Sequence, residues 1–320
     1  MNVIAILAAL GLEQWRAFQW RAALEHFFIQ YARAVERKLN GGTAQHAAIA
    51  TLVALVPPVL LAAGIYVALY ALHPLLGLAW NVTMLYLLMG FRRFSHLYTN
   101  VEAALKANDL TAARRALTAW RGVPTGELSS GEIAKLAIER GLVDSYRQVF
   151  ATLFWFTVLP GPAGAVLYRA AALLAEEWKA DAKGADTTPI AQGRAVIGAP
   201  ARGLLWLLDW VPARLTALSF AIVGDFEDAV YCWRTQAKTW AAEAGGEHAG
   251  IVLASGAGAL GVLLGGPVPV VGGEPEERPD LGLNDLPEAD LLPSAVGLVW
   301  RALVLWLVLM VLLTLANWAP

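Results

Sequence analysis

Residues 203–224 read GLLWLLDWVPARLTALSFAIVG, a run long and apolar enough to meet a lipid bilayer that nevertheless carries Asp209, Pro212 and Arg214 at its centre. An ionised side chain at that depth costs roughly 2.5 to 3.5 kcal/mol on insertion scales, so two of them require partners, a wet cavity or a function. Pro212 removes a backbone donor and crowds the carbonyl four residues back. The stretch therefore predicts a helix that breaks near Val211 and restarts with Pro212 at its first position. Asp209 would then sit just ahead of the second piece, where unpaired amides and the helix dipole favour a carboxylate. A break of this kind survives at membrane depth only inside protein or facing a water-filled cavity. Asp209 and Arg214, on different faces of an unbroken helix, could pair across the break. That pair would be either a structural tie or a site in which Arg214 meets an anion while Asp209 orients it or binds a cation.

The composition around this stretch sets the class. The 320 residues are 58% hydrophobic and 16% charged, with a mean hydropathy of +0.52, against about 25% charged residues in an ordinary soluble domain. An all-α, polytopic integral membrane protein is expected, with discontinuous helices, about four to six membrane-inserted segments and a cytoplasmic helical subdomain. The bilayer is its first partner, in a bacterial inner membrane; a homo-oligomer or other membrane proteins are further candidate partners, and no nucleic acid is expected. The single Cys232 excludes an intrachain disulfide, and five scattered histidines without a His-x-x-x-His pair give no indication of a metal. The opening apolar residues 1–12 lack a basic start and a cleavage motif, and predict a retained segment.

Working along the chain, residues 1–45 combine that apolar segment with an amphipathic helix over 13–39, basic through Arg16, Arg21, Arg33, Arg37 and Lys38, which suits either an anionic leaflet or the protein's own surface. Residues 46–91 form a membrane hairpin around His73 and Pro74, with Pro57 and Pro58 in its first arm. Both flanks of the hairpin are basic, which places residues 92–148 in the cytoplasm. Within them Asp109 caps one helix, and Ser129 with Glu132 forms a capping box opening another. Residues 149–273 make a membrane core interrupted by Pro160-Gly161-Pro162 and Gly164, and residues 274–293, with seven acids against Arg278, read as a solvated loop. Residues 294–320 form a spanning helix with Trp300, Trp306 and Trp318 as anchors. The breaks at 160–164, 212 and 265–267 are expected to line one pocket.

Three further constellations carry candidate chemistry. Glu139, Asp144 and Arg147 lie on the last cytoplasmic helix, where Asp144 and Arg147, three apart, suit a solvated salt bridge. Tyr168 and Arg169 follow the Pro-Gly-Pro break, and Arg169 could snorkel to the interface. Gly256-x-Gly258-x-x-Gly261 matches the dinucleotide fingerprint in letters only, without its strand. Gly261-x-x-x-Gly265 suits close approach of two helices, ended by Gly265, Gly266 and Pro267.

In order along the chain, Leu105 to Leu110 (LKANDL) with Ala113-Arg114, Ala151 to Phe154 (ATLF), Gly161-Pro162 with Tyr168-Arg169-Ala170, Trp210 to Leu215 (WVPARL), and Gly258 to Gly261 with Leu264 to Pro267 together resemble the CobD/CbiB family of cobalamin-biosynthesis membrane proteins. Leu208 to Pro212 (LDWVP) is similar to its distant relative AmpE. The resemblance implies an ATP-dependent ligation, with magnesium, that joins an aminopropanol or its phosphate to a carboxylate of adenosylcobyric acid, and hence a corrinoid or other small anionic ligand. The family's Glu-Asn-Thr-Val-Asp box falls here on Val143, Asp144, Ser145, Tyr146 and Arg147, and its later polar run falls on Tyr168 to Ala175, mostly apolar. Degenerate boxes of this kind fit weakened catalysis, or a non-enzymatic sensor or regulator resembling AmpE. Convergence of Glu139, Asp144 and Asp209 on one polar cavity would favour catalysis.

Overall fold

The computed structural model describes residues 2–15, 21–123, 126–179, 189–243, 246–269, 275–283 and 286–316. Its helices are α1 (Asn2–Trp15), α2 (Arg21–Leu39), α3 (Ala44–Leu72), α4 (Pro74–Leu88), α5 (Phe91–Lys106), α6 (Leu110–Arg121), α7 (Ser130–Ser145), α8 (Ala151–Val158), α9 (Ala163–Glu177), α10 (Pro189–Val223), α11 (Phe226–Gln236), α12 (Gly246–Leu260) and α13 (Leu292–Ala316). Two short strands, β1 (Leu263–Gly265) and β2 (Asp280–Gly282), pair antiparallel with Gly265 opposite Asp280. The chain is an all-α membrane protein apart from this ribbon. Ala44–Leu72, Val196–Val223 and Ala289–Ala316 are long and apolar enough to cross a bilayer, and Asn2–Trp15 and Pro74–Leu88 are shorter apolar helices. The chain forms two compact units, one of Met1–Met89 with Ala151–Asp209 and the other of Gly90–Phe150 with Trp210–Pro320.

In the first unit α3 packs on α4 and α9, α1 on α4, and α2 on α3 and α9. The buried stripe of α3 is made mostly of small residues: Ala47, Ala50, Thr51, Ala54 and Ala62, with Leu55. Its other faces expose Leu52, Leu60 and Leu61, by 59%, 64% and 66%, as a helix does whose solvent is hydrocarbon. Thr43 caps its first turn at the His46 amide, and its 29 residues span about 43 Å. Pro57 and Pro58 lie inside it without ending it. Pro57 leaves the Val53 carbonyl without its amide, and the Tyr31 hydroxyl of α2 donates to that carbonyl. The carbonyls that end α4 are met from the side: Arg21 donates Nη2 to Tyr86 and Nε to Leu87, at 2.9 and 3.0 Å.

The interruption expected at residues 160–164 is present between α8 and α9. Gly161 adopts φ +62° against the Tyr66 ring, and a Cβ on Gly164 would lie 1.9 Å from the Trp155 carbonyl, so neither position accommodates a larger residue. The interruption expected at Pro212 is absent. α10 is a single helix of 35 residues with Pro212 in its interior. The carbonyl that Pro212 orphans belongs to Leu208, and the indole Nε1 of Trp155 donates to it at 3.0 Å. With a tertiary donor in place of the missing amide, the helix has no reason to stop.

In the second unit α7 packs against α5, α6, α12 and α13. Its N-terminus has the expected capping box, Ser129 accepting from the Glu132 amide while Glu132 accepts from Ser129. Asp109 caps α6 at the Ala112 amide, and Gly122 closes it in the left-handed region. From α7 the chain stays helical through a π-turn over Tyr146–Phe150. The glycines of α12 do permit close approach, though at positions other than those expected. A Cβ on Gly258 would lie 2.4 Å from the Asp228 carbonyl of α11, and one on Gly256 2.7 Å from Leu142. Gly261 lies beyond the end of α12 and Gly265 ends β1. Trp306, expected at the interface, is buried and donates to Ser219 Oγ at 2.7 Å.

A double-mutant cycle tests the repair of α10. Trp155→Phe leaves the Leu208 carbonyl buried without a donor and lowers stability by about 1 to 3 kcal/mol. In a Pro212→Ala background, where an amide is restored, the same substitution costs much less. Thermal melts of the four detergent-solubilised proteins measure the difference, and equal losses in both backgrounds would show that the indole is not the missing donor.

Candidate functional site

Within the second unit three sequence-predicted residues, Glu139, Gly265 and Gly266, come together around a fourth, Arg278. Glu139 projects from α7 and is held twice by Arg278, Nη1 to Oε2 at 2.9 Å and Nη2 to Oε1 at 3.0 Å. Its Oε1 also accepts the Gly265 amide at 2.7 Å. Arg278 further donates to the Gly265 and Gly266 carbonyls, at 3.3 and 3.1 Å, and its guanidinium lies 5.2 Å from the Trp240 ring centre. The two side chains are only 10% and 9% exposed. Both glycines have positive φ, and a Cβ on Gly265 would lie 2.1 Å from the Pro279 carbonyl. The backbone can therefore fold over the carboxylate only because no side chain stands there.

Lys135 lies one turn before Glu139 and is buried, with Nζ 3.4 Å from the Pro267 carbonyl. Burial pushes its amine below the usual lysine value; Glu139 opposes this, and Arg278 adds to it. Arg121 is likewise lowered by burial, opposed by Glu139. The arrangement is a buried carboxylate bound by one guanidinium, with a second guanidinium and an amine in its field. Such a cluster can attract carboxylate or phosphate groups, and an amine displaced toward its neutral form can accept a proton.

Asp144, Arg214, Asp209, Tyr168 and Arg169 have other partners. Asp144 is buried rather than solvated, and its Oδ2 accepts from Trp120 Nε1 at 2.9 Å and from Arg140 Nε at 3.2 Å. The arginine seen to pair with it stands four positions before it, and Arg147, the partner expected from spacing, lies in the π-turn. Arg214 donates to the Trp210 carbonyl at 2.8 Å and covers the Trp210 ring at 4.3 Å. Because α10 is continuous, Asp209 and Arg214 stand about 140° apart around it. In the first unit Asp209 is buried and accepts from the Tyr168 hydroxyl at 2.8 Å. Arg169, rather than snorkelling, is 12% exposed and pairs with Glu25 at 3.1 Å. Sequence reasoning missed Arg278 and Lys135 as site residues; the one available signal was a lone cation among seven acids, twelve residues after a glycine pair.

Removing the guanidinium alone strands a buried charge. Arg278→Met is expected to cost about 3 kcal/mol or more, whereas Glu139→Gln with Arg278→Met costs less than the single change, because no ion is left unpaired. Melting of the purified variants in one detergent checks the order, and a single variant as stable as the parent would place the pair outside the folded core.

Known proteins add the family to this geometry. The family described as CobD/Cbib protein matches residues 7–178 and 197–299. The cobalamin biosynthesis protein CobD of Stutzerimonas stutzeri (strain A1501) is 34% identical over 313 residues, 96% of each chain. CobD of Chromobacterium violaceum is 39% identical over 233 residues, 73% of this chain and 70% of that one. The cobalamin biosynthesis protein CbiB of Salmonella typhimurium (strain LT2) is 28% identical over 259 residues, 78% of this chain and 75% of that one. No solved structure matches. With both units covered by these matches, the chain belongs to the CobD/CbiB family of cobalamin biosynthesis proteins.

Proposed function

We propose that the protein forms an amide bond in cobalamin assembly, joining an aminopropanol or its phosphate to a carboxylate of adenosylcobyric acid. It does so as a multi-pass protein of the bacterial inner membrane, with residues 92–148 on the cytoplasmic side. The observation that supports this reading is the buried Lys135, Glu139 and Arg278 cluster under the Gly265-Gly266 turn. Amide formation requires the amine nitrogen to attack an activated carbonyl carbon, lose a proton and expel the leaving group. In this reading Arg278, fixed by Glu139, binds the anionic end of a reactant, and Lys135, its amine lowered by burial, takes the proton.

Activation of the carboxylate requires a phosphoryl donor, and the resemblance implies ATP with magnesium. Magnesium is usually held by one or two carboxylates together with substrate phosphates. Among the described residues no three His, Cys, Asp or Glu side chains converge. The carboxylates of interest already accept from protein donors: Glu139 from Arg278, Asp144 from Trp120 and Arg140, Asp209 from Tyr168. As they stand these residues do not fit a magnesium site, and the roles above involve none. The same occupancy favours a second reading, a non-enzymatic membrane sensor resembling AmpE.

Complementation of a bacterium lacking its cobinamide-forming synthase separates the two. The parent chain is expected to restore growth on cobyric acid, and Lys135→Met and Arg278→Lys to reduce it at matched membrane levels. Absence of growth with the parent chain, correctly inserted, would overturn the amide-forming reading and leave the sensor.

A further inference from the structure

The first unit holds a cavity of about 330 Å³ between α2, α3, α4 and α9. Its wall is apolar, with Leu24, Phe28, Leu61, Ile65, Met84 and Leu173 among its residues, and it runs along α3 from Pro58 to Ile65 and along α4 from Trp80 to Leu88. At 1.5 Å per residue these are lengths of roughly 10 to 12 Å. The wall also includes Arg21, Arg169 and Glu25. Arg21 pairs with Glu13 at 2.8 Å and Arg169 with Glu25 at 3.1 Å. Burial holds the Arg21 guanidinium below its usual value, opposed by Glu13 and reinforced by the neighbouring Arg169. Two adjacent guanidiniums, each with five N–H donors, retain donors beyond the bonds they make to Glu13, Glu25, Tyr86 and Leu87.

We propose that this cavity binds one membrane phospholipid with a zwitterionic ammonium–phosphate head, the phosphate meeting Arg21 and Arg169, the ammonium facing Glu25 and an acyl chain filling the apolar wall. Three observations point to this occupant. The wall is hydrocarbon, while its charged end carries the Arg21 and Arg169 guanidiniums and the Glu25 carboxylate, with buried Glu13 bound to Arg21 behind it, so a head with both signs matches this balanced field better than a purely anionic one. The volume lies at the low end for ligand cavities, which suits an acyl chain and is too small for a corrinoid. The outer faces of α3 beside it, through Leu60 and Leu61, are exposed apolar surface from which a lipid can enter. The inference concerns a different unit from the proposed reaction site and does not rest on the amide-forming reading.

The test is native mass spectrometry of the full chain in a mild detergent, titrated with phosphatidylethanolamine, phosphatidylglycerol, diacylglycerol of the same chains, and O-phosphoethanolamine. One phosphatidylethanolamine per chain is expected to persist, with phosphatidylglycerol and diacylglycerol each bound about tenfold more weakly for the loss of a charged contact. Ala170→Phe, which fills the wall, and Arg169→Gln, which removes one of the two phosphate donors, are each expected to reduce the bound fraction. The second variant decides the matter if the first fails to melt cooperatively. Diacylglycerol binding as tightly as phosphatidylethanolamine would overturn the role of the charged end. Phosphatidylglycerol binding as well or better would overturn the zwitterionic head. Displacement by O-phosphoethanolamine alone would reassign the cavity to a free amino-alcohol phosphate, and unchanged lipid in both variants would place the lipid elsewhere.

Discussion

A backbone carbonyl freed inside an apolar helix has no water to turn to, and this constraint shapes the first unit more than any single packing contact. Proline frees such carbonyls at Val53 and Leu208, and the end of α4 frees those of Tyr86 and Leu87. Each is met by a side chain brought from another helix: Tyr31, Trp155 and Arg21. The donors differ in chemistry but share a property. Each carries its polar hydrogen at the tip of a large apolar or amphipathic body, so the same residue that repairs the backbone also fills space around it. Pro57 and Pro212 are thereby converted from breaks into positions that specify a neighbour.

The second unit applies the opposite device, since there it is charge that has been withdrawn from water. Glu139 and Arg278 are tied by two parallel hydrogen bonds and flanked by backbone groups of Gly265 and Gly266. An ion pair so placed contributes modestly to net stability, because desolvation offsets most of the attraction. Its stronger effect is on arrangement: the ribbon that follows α12 can adopt only the register that brings Gly265 opposite Asp280 and Arg278 onto α7. A burial that yields little stability but fixes geometry suits a place where a reactant has to be positioned.

Much of this architecture was legible in the residues. The uncharged run of α3, the spanning stretch of α13, the capping box at Ser129 and the interruption at Pro160 to Pro162 all depend on chemistry within a few positions of chain. Pro212 was misread because its remedy lies 53 residues earlier in sequence, at Trp155, and local rules carry no information about a donor supplied by the fold. The candidate site was half legible for the same reason. Glu139 and the glycine pair stood out by type, whereas Arg278 is 139 positions from its carboxylate and lies in a tract whose acidity suggested a solvated loop. Asp144 stands out as a charged residue of α7, but its contacts with Arg140 and with Trp120 of α6 depend on which side of the helix the fold covers.

The two units are interleaved in the chain, which passes from one to the other after Met89, Phe150 and Asp209. During synthesis the hairpin of α3 and α4 therefore emerges well before α9, against which it packs, and waits while all of α5 to α7 is translated. The intervening segment is in turn left incomplete until residues beyond 209 have been made. A cut after Asp209 leaves every segment of the first unit but strands residues 90–150 without the rest of the second, so a ribosome that stalls or a protease that nicks there leaves one complete body and one partial one. Quality control in the membrane is thus presented with a second body that stays partial until the segment after Asp209 joins it.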